Sequence, residues 1–287
     1  MNKEIFFSKV FTALFILVLS VSAPWKLALA QNNTAQNSPS LKRLTIGILP
    51  EKTFFEQGKK YRSISRYMSK HLDMVVQVKF LTRYGNLSEA FSEGVIDAAF
   101  FGSFGYVLTN TQVPVEILAR PVWLNGSSTY NGKIFVNKNS GIKNVTDMKG
   151  KRLVLVDKAT TAGYVYPLFY LKENGIDDME NYFSEIIFSG SHHGAAWAVY
   201  KGEADVGACK NHIFQSLALE IPEFREQMVV LAKSYDVPSN GFGVRADLHP
   251  RVKAKLKNLL LKLGNNKEGR LVLKKLEAVR FIPTSDN

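Results

Sequence analysis

Tyr84-Gly-Asn-Leu-Ser-Glu-Ala-Phe-Ser-Glu-Gly94-Val-Ile-Asp97-Ala-Ala and His192-His-Gly-Ala-Ala-Trp-Ala-Val-Tyr-Lys-Gly202-Glu-Ala-Asp205-Val-Gly align without gaps, 108 residues apart, so that Ala90, Gly94 and Asp97 fall on Ala198, Gly202 and Asp205. Upstream, with a slip of one residue, Arg43-Leu44-Thr-Ile-Gly-Ile meets Arg152-Leu153-Val-Leu-Val-Asp. Each copy reads as strand, helix, strand, helix, Gly turn, strand. One such unit makes one α/β lobe. Two copies therefore predict two similar lobes with a cleft between them, and clefts of that kind are where small ligands bind.

Working outward, Leu44 to Leu49 is an apolar β run ended by Pro50, Tyr61 to Leu72 has helical periodicity, and Val75 to Leu81 alternates like a strand. Leu87 to Glu93 reads as a short helix stopped by Gly94, Ile96 to Phe101 as a strand, and Gly102 to Thr109 as a helix. Val115 to Pro121 and Lys133 to Asn137 bracket the polar segment from Asn125 to Gly132, which reads as a first crossing between lobes. Pro238-Ser-Asn-Gly241 reads as the second. The expected class is α/β: two lobes, each a mostly parallel sheet flanked by helices, joined by a hinge of two crossings. Lobe 1 is then discontinuous, residues 42–130 and 238–287, and lobe 2 is residues 131–237.

The ends of the chain bound its setting. Lys3 and Lys9, the apolar stretch Val10 to Ala23 and the small-x-small sequence Ala28-Leu29-Ala30 read as a cleavable signal peptide cut after Ala30. Gln31 to Ser40 reads as a disordered leader. Export to a bacterial periplasm is expected, or an anchored form if the segment is kept. Cys209 is the single cysteine, so no intramolecular disulfide can form, and it reads as a small buried hydrophobe rather than a nucleophile. The formal net charge of +12 favours anionic ligands. Arg251 to Lys275 contributes nine Lys/Arg against one acid, Glu268, interleaved with Leu256, Leu259, Leu260 and Leu263. That spacing fits the wet face of amphipathic helices rather than a nucleic-acid or membrane patch.

In such sheets ligands sit beyond the carboxyl ends of the strands, where helix N-termini point. The loop Val156-Asp-Lys-Ala-Thr160-Thr161-Ala162-Gly163-Tyr164 places two hydroxyls where a helix begins, as oxyanion donors or as caps. Ser189-Gly-Ser-His192-His193-Gly194 offers an imidazole near another helix start, or a capping Ser191. Tyr84 is the first-lobe counterpart of His192, Ser103 opens the helix after Gly102, and Tyr130 stands at the crossing. Adjacent histidines without a third ligand do not make a metal site.

Taken together, Ile48-Leu-Pro50, Tyr84 with Gly94-x-x-Asp97, Gly102-Ser-x-x-Tyr106, Tyr130, Met148-Lys-Gly-Lys-Arg152, Thr160-Thr-Ala-Gly-Tyr164-x-x-Pro167 and Gly190-Ser-His192 are similar, in order and spacing, to the phosphate/phosphite/phosphonate-binding family of periplasmic solute receptors that serve ABC importers. The resemblance implies a type II periplasmic binding fold that closes on a phosphorus oxyanion. It implies Thr160, Thr161, the Ala162 amide and His192 as contacts from the second lobe, and Tyr84, Ser103 and Tyr130 from the first lobe and the crossing. It implies a monomer without cofactor, metal or nucleic acid, whose partner is a permease, or a membrane sensor kinase if the receptor signals. Neutral donors and helix ends would then hold the dianion without a buried Lys or Arg.

The sequence departs from the family pattern at three places. Ala162 stands where a Ser hydroxyl is usual, His193 where an Asp is usual, and Ser103 where a Pro is usual. The stretches around Asn211 and Asn240 offer amides where receptors of aminoalkyl phosphonates carry carboxylates, which argues against an ammonium-bearing ligand. A drifted receptor for another small ligand is the further alternative. An enzyme would need a nucleophile, and Ser103 or Ser191 beside His192 is the candidate; neither lies in a Gly-x-Ser-x-Gly elbow.

Overall fold

The computed structural model describes residues 43–285, so the expected signal peptide and leader lie outside the described residues. Strand β1 (Arg43–Ile48) is buried along all but its first residue, the pattern of a strand covered on both faces. Helix α1 (Phe54–Leu72) starts well before Tyr61, because Thr53 and Glu56 form a reciprocal capping box that fixes its first turn. Then follow β2 (Val75–Phe80), α2 (Asn86–Ser92), β3 (Ala98–Phe101), α3 (Ser103–Asn110) and the long β4 (Val115–Trp123). The short β5 (Thr129–Tyr130) leads into β6 (Gly132–Asn137).

The second unit runs through β7 (Arg152–Leu155), the helix α4 (Tyr166–Glu173) with a π-helical turn before it, α5 (Met179–Tyr182), β8 (Glu185–Phe188), α6 (His192–Tyr200) and β9 (Val206–Lys210). After α7 (Asn211–Glu220), α8 (Pro222–Gln227) and β10 (Met228–Lys233), β11 (Val237–Pro238) and β12 (Gly241–Arg245) lead back. Helices α9 (Pro250–Leu261) and α10 (Lys267–Leu276) and strand β13 (Ala278–Pro283) complete the chain.

Two sheets result, ordered β13-β4-β12-β3-β1-β2 and β10-β6-β9-β7-β8, and β11 pairs with β5 as a separate ribbon. The internal repeat is visible as geometry: β2-β1-β3 and β8-β7-β9 are parallel triplets with the same connectivity. Gly94 and Gly202 both take positive φ, 67° and 74°, in the turn before the third strand of each triplet. The Asp97 carboxylate then accepts from Thr45 N at 2.8 Å, and Asp205 accepts from Arg152 N at the same 2.8 Å. Each Asp thereby locks the third strand of its triplet to the first.

The expectation of mostly parallel sheets is corrected to mixed ones. β12 runs antiparallel to β3 and β4, and β6 runs antiparallel to β9 and β10. The reason is topological. The triplets point their carboxyl ends at the cleft, whereas β6 and β12 come straight from the ribbon beside the cleft and must run away from it.

Helices α1, α9 and α10 cover one face of the first sheet through a core that includes Ile64, Met68, Leu256, Leu260, Leu273 and Phe281. The Lys and Arg side chains of α9 and α10 lie largely on the solvent side while Leu256, Leu260 and Leu263 are buried, the expected amphipathic division. A separate core packs Ile134, Leu153, Leu155, Leu171 and Phe183 in the second lobe. A third apolar cluster joins Leu49, Tyr84, Phe91 and Phe101 to Phe135, Val154, Ala195 and Phe214, so the two sheets are in close contact. Among the described residues no helix is long and apolar enough to cross a membrane.

Candidate ligand-binding site

The carboxyl ends of the two triplets meet around a small chamber whose walls include Leu49, Tyr84, Tyr130, Thr160, Thr161, His192 and Lys210. Its free volume is about 10 Å³, the space of roughly one water, so the cleft is nearly shut. Five of the seven residues expected in the site are therefore brought together: Tyr84, Tyr130, Thr160, Thr161 and His192.

His192 is the first residue of α6 and is fully buried. Ser191 caps that helix, its hydroxyl accepting from Gly194 N at 2.9 Å. The imidazole Nδ1 accepts from the backbone N–H of Lys210 at 3.3 Å, so in the neutral ring the proton sits on Nε2. Burial pushes its pKa well below the usual value, and the nearby Lys210 charge pushes the same way. Nε2 is buried and has no hydrogen-bond partner among the described residues.

The hydroxyls of Tyr84 and Tyr130 are likewise buried and without a partner. The Tyr84 ring stands edge-on to His192 with centroids 5.8 Å apart, and burial pushes its phenol well above the usual range, so it remains a proton donor. A buried polar group without a partner costs about 1–3 kcal/mol, so three around one chamber are not incidental packing.

The Thr160–Thr161 loop divides its work. The Thr160 hydroxyl donates to Asp157 O at 2.6 Å and is spent on the turn. The Thr161 hydroxyl oxygen accepts from Phe104 N at 3.0 Å, a bond between the lobes that leaves its own proton to donate. The π-helical turn Thr161–Val165 begins there, and it needs Gly163 because a Cβ at that position would lie 2.4 Å from Val156. The other two expected residues lie apart. Ala162 is buried and packs behind the chamber, its Cα 3.2 Å from where a Cβ on Gly132 would be. Ser103 turns its hydroxyl to Pro238 O at 3.1 Å and borders a different pocket with Tyr106 and Ser239. Of the two candidate serines, Ser191 caps α6 and Ser103 donates to Pro238 O.

The residue that the sequence reading missed is Lys210. It is 3% exposed, forms an ion pair with Glu51, and donates to Asn240 Oδ1 at 2.8 Å. Asn240 Nδ2 closes the triangle by donating to Glu51 Oε1 at 3.0 Å. The Lys210 ammonium also lies over the Tyr130 ring, 4.7 Å from its centroid. The expectation of an anion site with no buried cation is therefore corrected. The signal was present: Lys210 closes the otherwise apolar strand Val206–Lys210 at the end where ligand loops lie.

Burial alone would raise the Glu51 carboxyl, but the Lys210 ammonium beside it holds it well below the usual carboxylate range. Burial pushes His212, which also has an unpartnered Nδ1, down to about 3 despite the opposing pull of Glu51. Glu51 and His212 face a second, larger basin of about 450 Å³ whose rim carries Lys52, Lys59, Lys60, Arg66 and Lys275. Lys210 lines the chamber and Glu51 lines the basin, so their ion pair links the two.

Cys209 is buried and its thiol is pushed far up by that burial, as expected of a core residue. No group of three or more His, Cys, Asp or Glu side chains is placed to hold a metal ion among the described residues.

Solved structures share these paired α/β lobes that close on a chamber at their strand ends. A binding protein component of an ABC phosphonate transporter from Pseudomonas aeruginosa superposes with a TM-score of 0.79 at 24% identity, covering 86% of this chain and 82% of that one. PhnD1 from Prochlorococcus marinus in complex with methylphosphonate gives 0.77 at 21% identity, covering 85% and 93%. Residues 46–287 match the profile described as "ABC transporter, phosphonate, periplasmic substrate-binding protein", and the chain belongs to that family. Among its relatives, the "Phosphonates-binding periplasmic protein" of Escherichia coli (strain K12) is 25% identical over 100% of this chain and 82% of its own length. The "Phosphate-import protein PhnD" of Mycolicibacterium smegmatis is 24% identical over 90% of this chain and 83% of its own.

Proposed function

We propose that this chain captures a small phosphorus oxyanion (phosphate, phosphite or a phosphonate) between its lobes and presents the closed form to an ABC permease, with no chemistry of its own. The observation that carries this reading is the convergence of the Tyr84 hydroxyl, the Tyr130 hydroxyl and His192 Nε2, all buried and unpartnered, on a chamber walled by Lys210. Donors held in place by packing favour a ligand with several acceptor oxygens, and hydrogen bonds to an ionised acceptor are about twice as strong as neutral ones. Thr161 adds a fourth donor, and the start of the turn it opens favours negative charge. In this proposal Tyr84, Tyr130, Thr161 and His192 donate to the ligand beside Lys210, while Thr160 holds the loop, Ala162 packs behind it and Ser103 sits at the hinge.

A tetrahedral oxyanion is larger than one water, so entry requires the lobes to part. The ribbon of β5 and β11 is the natural hinge, with residues 42–130 and 238–287 moving against 131–237. The basic rim of the neighbouring basin would draw anions toward the opening. The mature protein would begin at Gln31 in the periplasm and act as a monomer.

Thermal unfolding of protein starting at Gln31, freed of bound ligand by unfolding and refolding, tests the reading. Phosphate, phosphite, methylphosphonate and sulfate would be compared. A ligand at 100 times its Kd adds about 2.7 kcal/mol, a rise on the order of 5–10 °C for a protein of this size. A rise confined to phosphorus oxyanions is expected. No rise, or an equal rise with sulfate, rejects it.

A further inference from the structure

Lys210 does not merely add positive charge to the chamber. Lys210 lines the chamber, and its ammonium is held by Asn240 and by Glu51, which itself lines the larger basin. A substituent on phosphorus that extends from the chamber toward the basin would come up against this triangle. A ligand carrying its own ammonium there would meet the Lys210 charge, and it would find the nearby carboxylate, Glu51, already paired. Like charges brought together without solvent are strongly unfavourable, and this is how a site rejects a close analogue. The cation is also tied down: it is 3% exposed, has two side-chain partners, and lies 4.7 Å from the Tyr130 ring centroid. Swinging aside would leave the Glu51 carboxylate without its cation, with only the Asn240 amide still donating to it.

We propose that Lys210 is a built-in counter-cation that sets ligand class, closing the site to ammonium-bearing phosphonates and restricting it to phosphorus oxyanions without a cationic arm. This rests on the chamber being the oxyanion site. Glu51 is the latent second half of the device. Once the lysine side chain is removed, the chamber opens toward the basin and the freed carboxylate becomes a receptor for an ammonium supplied by the ligand.

The experiment is titration calorimetry with methylphosphonate, propylphosphonate and 2-aminoethylphosphonate on the wild type, Lys210→Ala, and the double variant Lys210→Met with Glu51→Gln. Propylphosphonate matches the aminoethyl compound in size and lacks its charge, so the pair separates room from electrostatics. The wild type should prefer methylphosphonate to 2-aminoethylphosphonate at least tenfold. In Lys210→Ala the preference should fall by tenfold or more, with 2-aminoethylphosphonate overtaking propylphosphonate. The double variant keeps the buried cluster neutral and should fold even if the single variant does not. It should bind the propyl and aminoethyl compounds alike, because both charges are gone. The inference is overturned if the wild type accepts 2-aminoethylphosphonate as readily as methylphosphonate, or if either variant keeps the full wild-type preference. A wild type that binds no phosphorus compound in this series instead removes the oxyanion reading beneath it.

Discussion

The backbone N–H of Lys210 donates to His192 Nδ1 at 3.3 Å, and this bond decides what the other side of the imidazole can do. With Nδ1 occupied as an acceptor, the neutral ring must carry its proton on Nε2, inside the chamber. Strand β9 thus orients a donor that sits on helix α6, and the same residue contributes its ammonium to the chamber wall. His192→Ala should weaken oxyanion binding by about 1–3 kcal/mol, roughly 5- to 150-fold, through loss of a charge-assisted bond. Calorimetry with phosphate or methylphosphonate measures it. Wild-type affinity in this variant would mean that the imidazole faces no ligand.

Tyr84→Phe and Tyr130→Phe separate binding from folding. Each removes a hydroxyl that is buried without a partner, so neither should lower the stability of the ligand-free protein. A small gain, on the order of 1 kcal/mol, is the expected direction, because sites built for ligands commonly hold groups that the fold alone would not keep. Affinity should fall in both by about 1–3 kcal/mol. Chemical denaturation with and without ligand reads both quantities. A variant less stable without ligand, yet unchanged in affinity, would mark its hydroxyl as structural.

The repeat made the architecture legible, since the spacing of Gly94-x-x-Asp97 and Gly202-x-x-Asp205 encodes a turn and a strand-to-strand lock rather than a ligand. The loops were legible too, because hydroxyls and an imidazole at strand ends are a local pattern. The Lys210–Glu51–Asn240 triangle was not, because it is made by contacts between residues 159 and 30 positions apart. Lys210 does end an apolar strand, but its burial follows only once that strand is placed inside a sheet. Ser103 misled for the opposite reason: its position at a helix start suggested a donor, but the return of the chain at Pro238 captures its hydroxyl. The mixed sheets escaped because β12 and β6 are apolar strands whose direction depends on where the hinge lies.

Asp205→Asn should cost stability and leave affinity nearly unchanged. Its carboxylate accepts from Arg152 N at 2.8 Å and pairs with the Arg152 guanidinium at 2.9 Å, far from the chamber in role and bonded only to its own lobe's first strand among the hydrogen bonds described. The expected loss is about 1.5 kcal/mol, the low end for hydrogen bonds to a charged group, because Arg152 and Asp205 stay 37% and 30% exposed. Asp97→Asn, the first-lobe counterpart, should cost less, because Asp97 takes the Thr45 N–H and only feels the Arg245 charge, whose guanidinium is bonded to Asp247. Urea midpoints compared at constant m-value give both numbers. A large affinity loss in Asp205→Asn at unchanged midpoint would place it in the site.

Acid should unfold this protein from the histidines first. His192 and His212 are held neutral by burial, with pKa values below the ordinary 6.5, so the unfolded chain binds protons that the native one refuses. Stability rises with pH wherever the unfolded state holds more protons. Their contribution is therefore complete above the unfolded pKa and is lost as the pH falls below about 6.5, each histidine adding a slope approaching 1.4 kcal/mol per pH unit. For His212 the loss continues until about pH 3, its folded value. Glu51 adds to the same trend below its usual 4.5, because its folded pKa is also depressed, chiefly by Lys210 acting against burial. Between pH 6.5 and 4.5 the slope should thus come from the two buried histidines, and His212→Gln should remove about half of it without touching the chamber's donors. Denaturation midpoints of ligand-free wild type and His212→Gln across that interval test this. Parallel curves would show that His212 takes up its proton in the folded protein and is not held neutral beside Glu51 and Lys210.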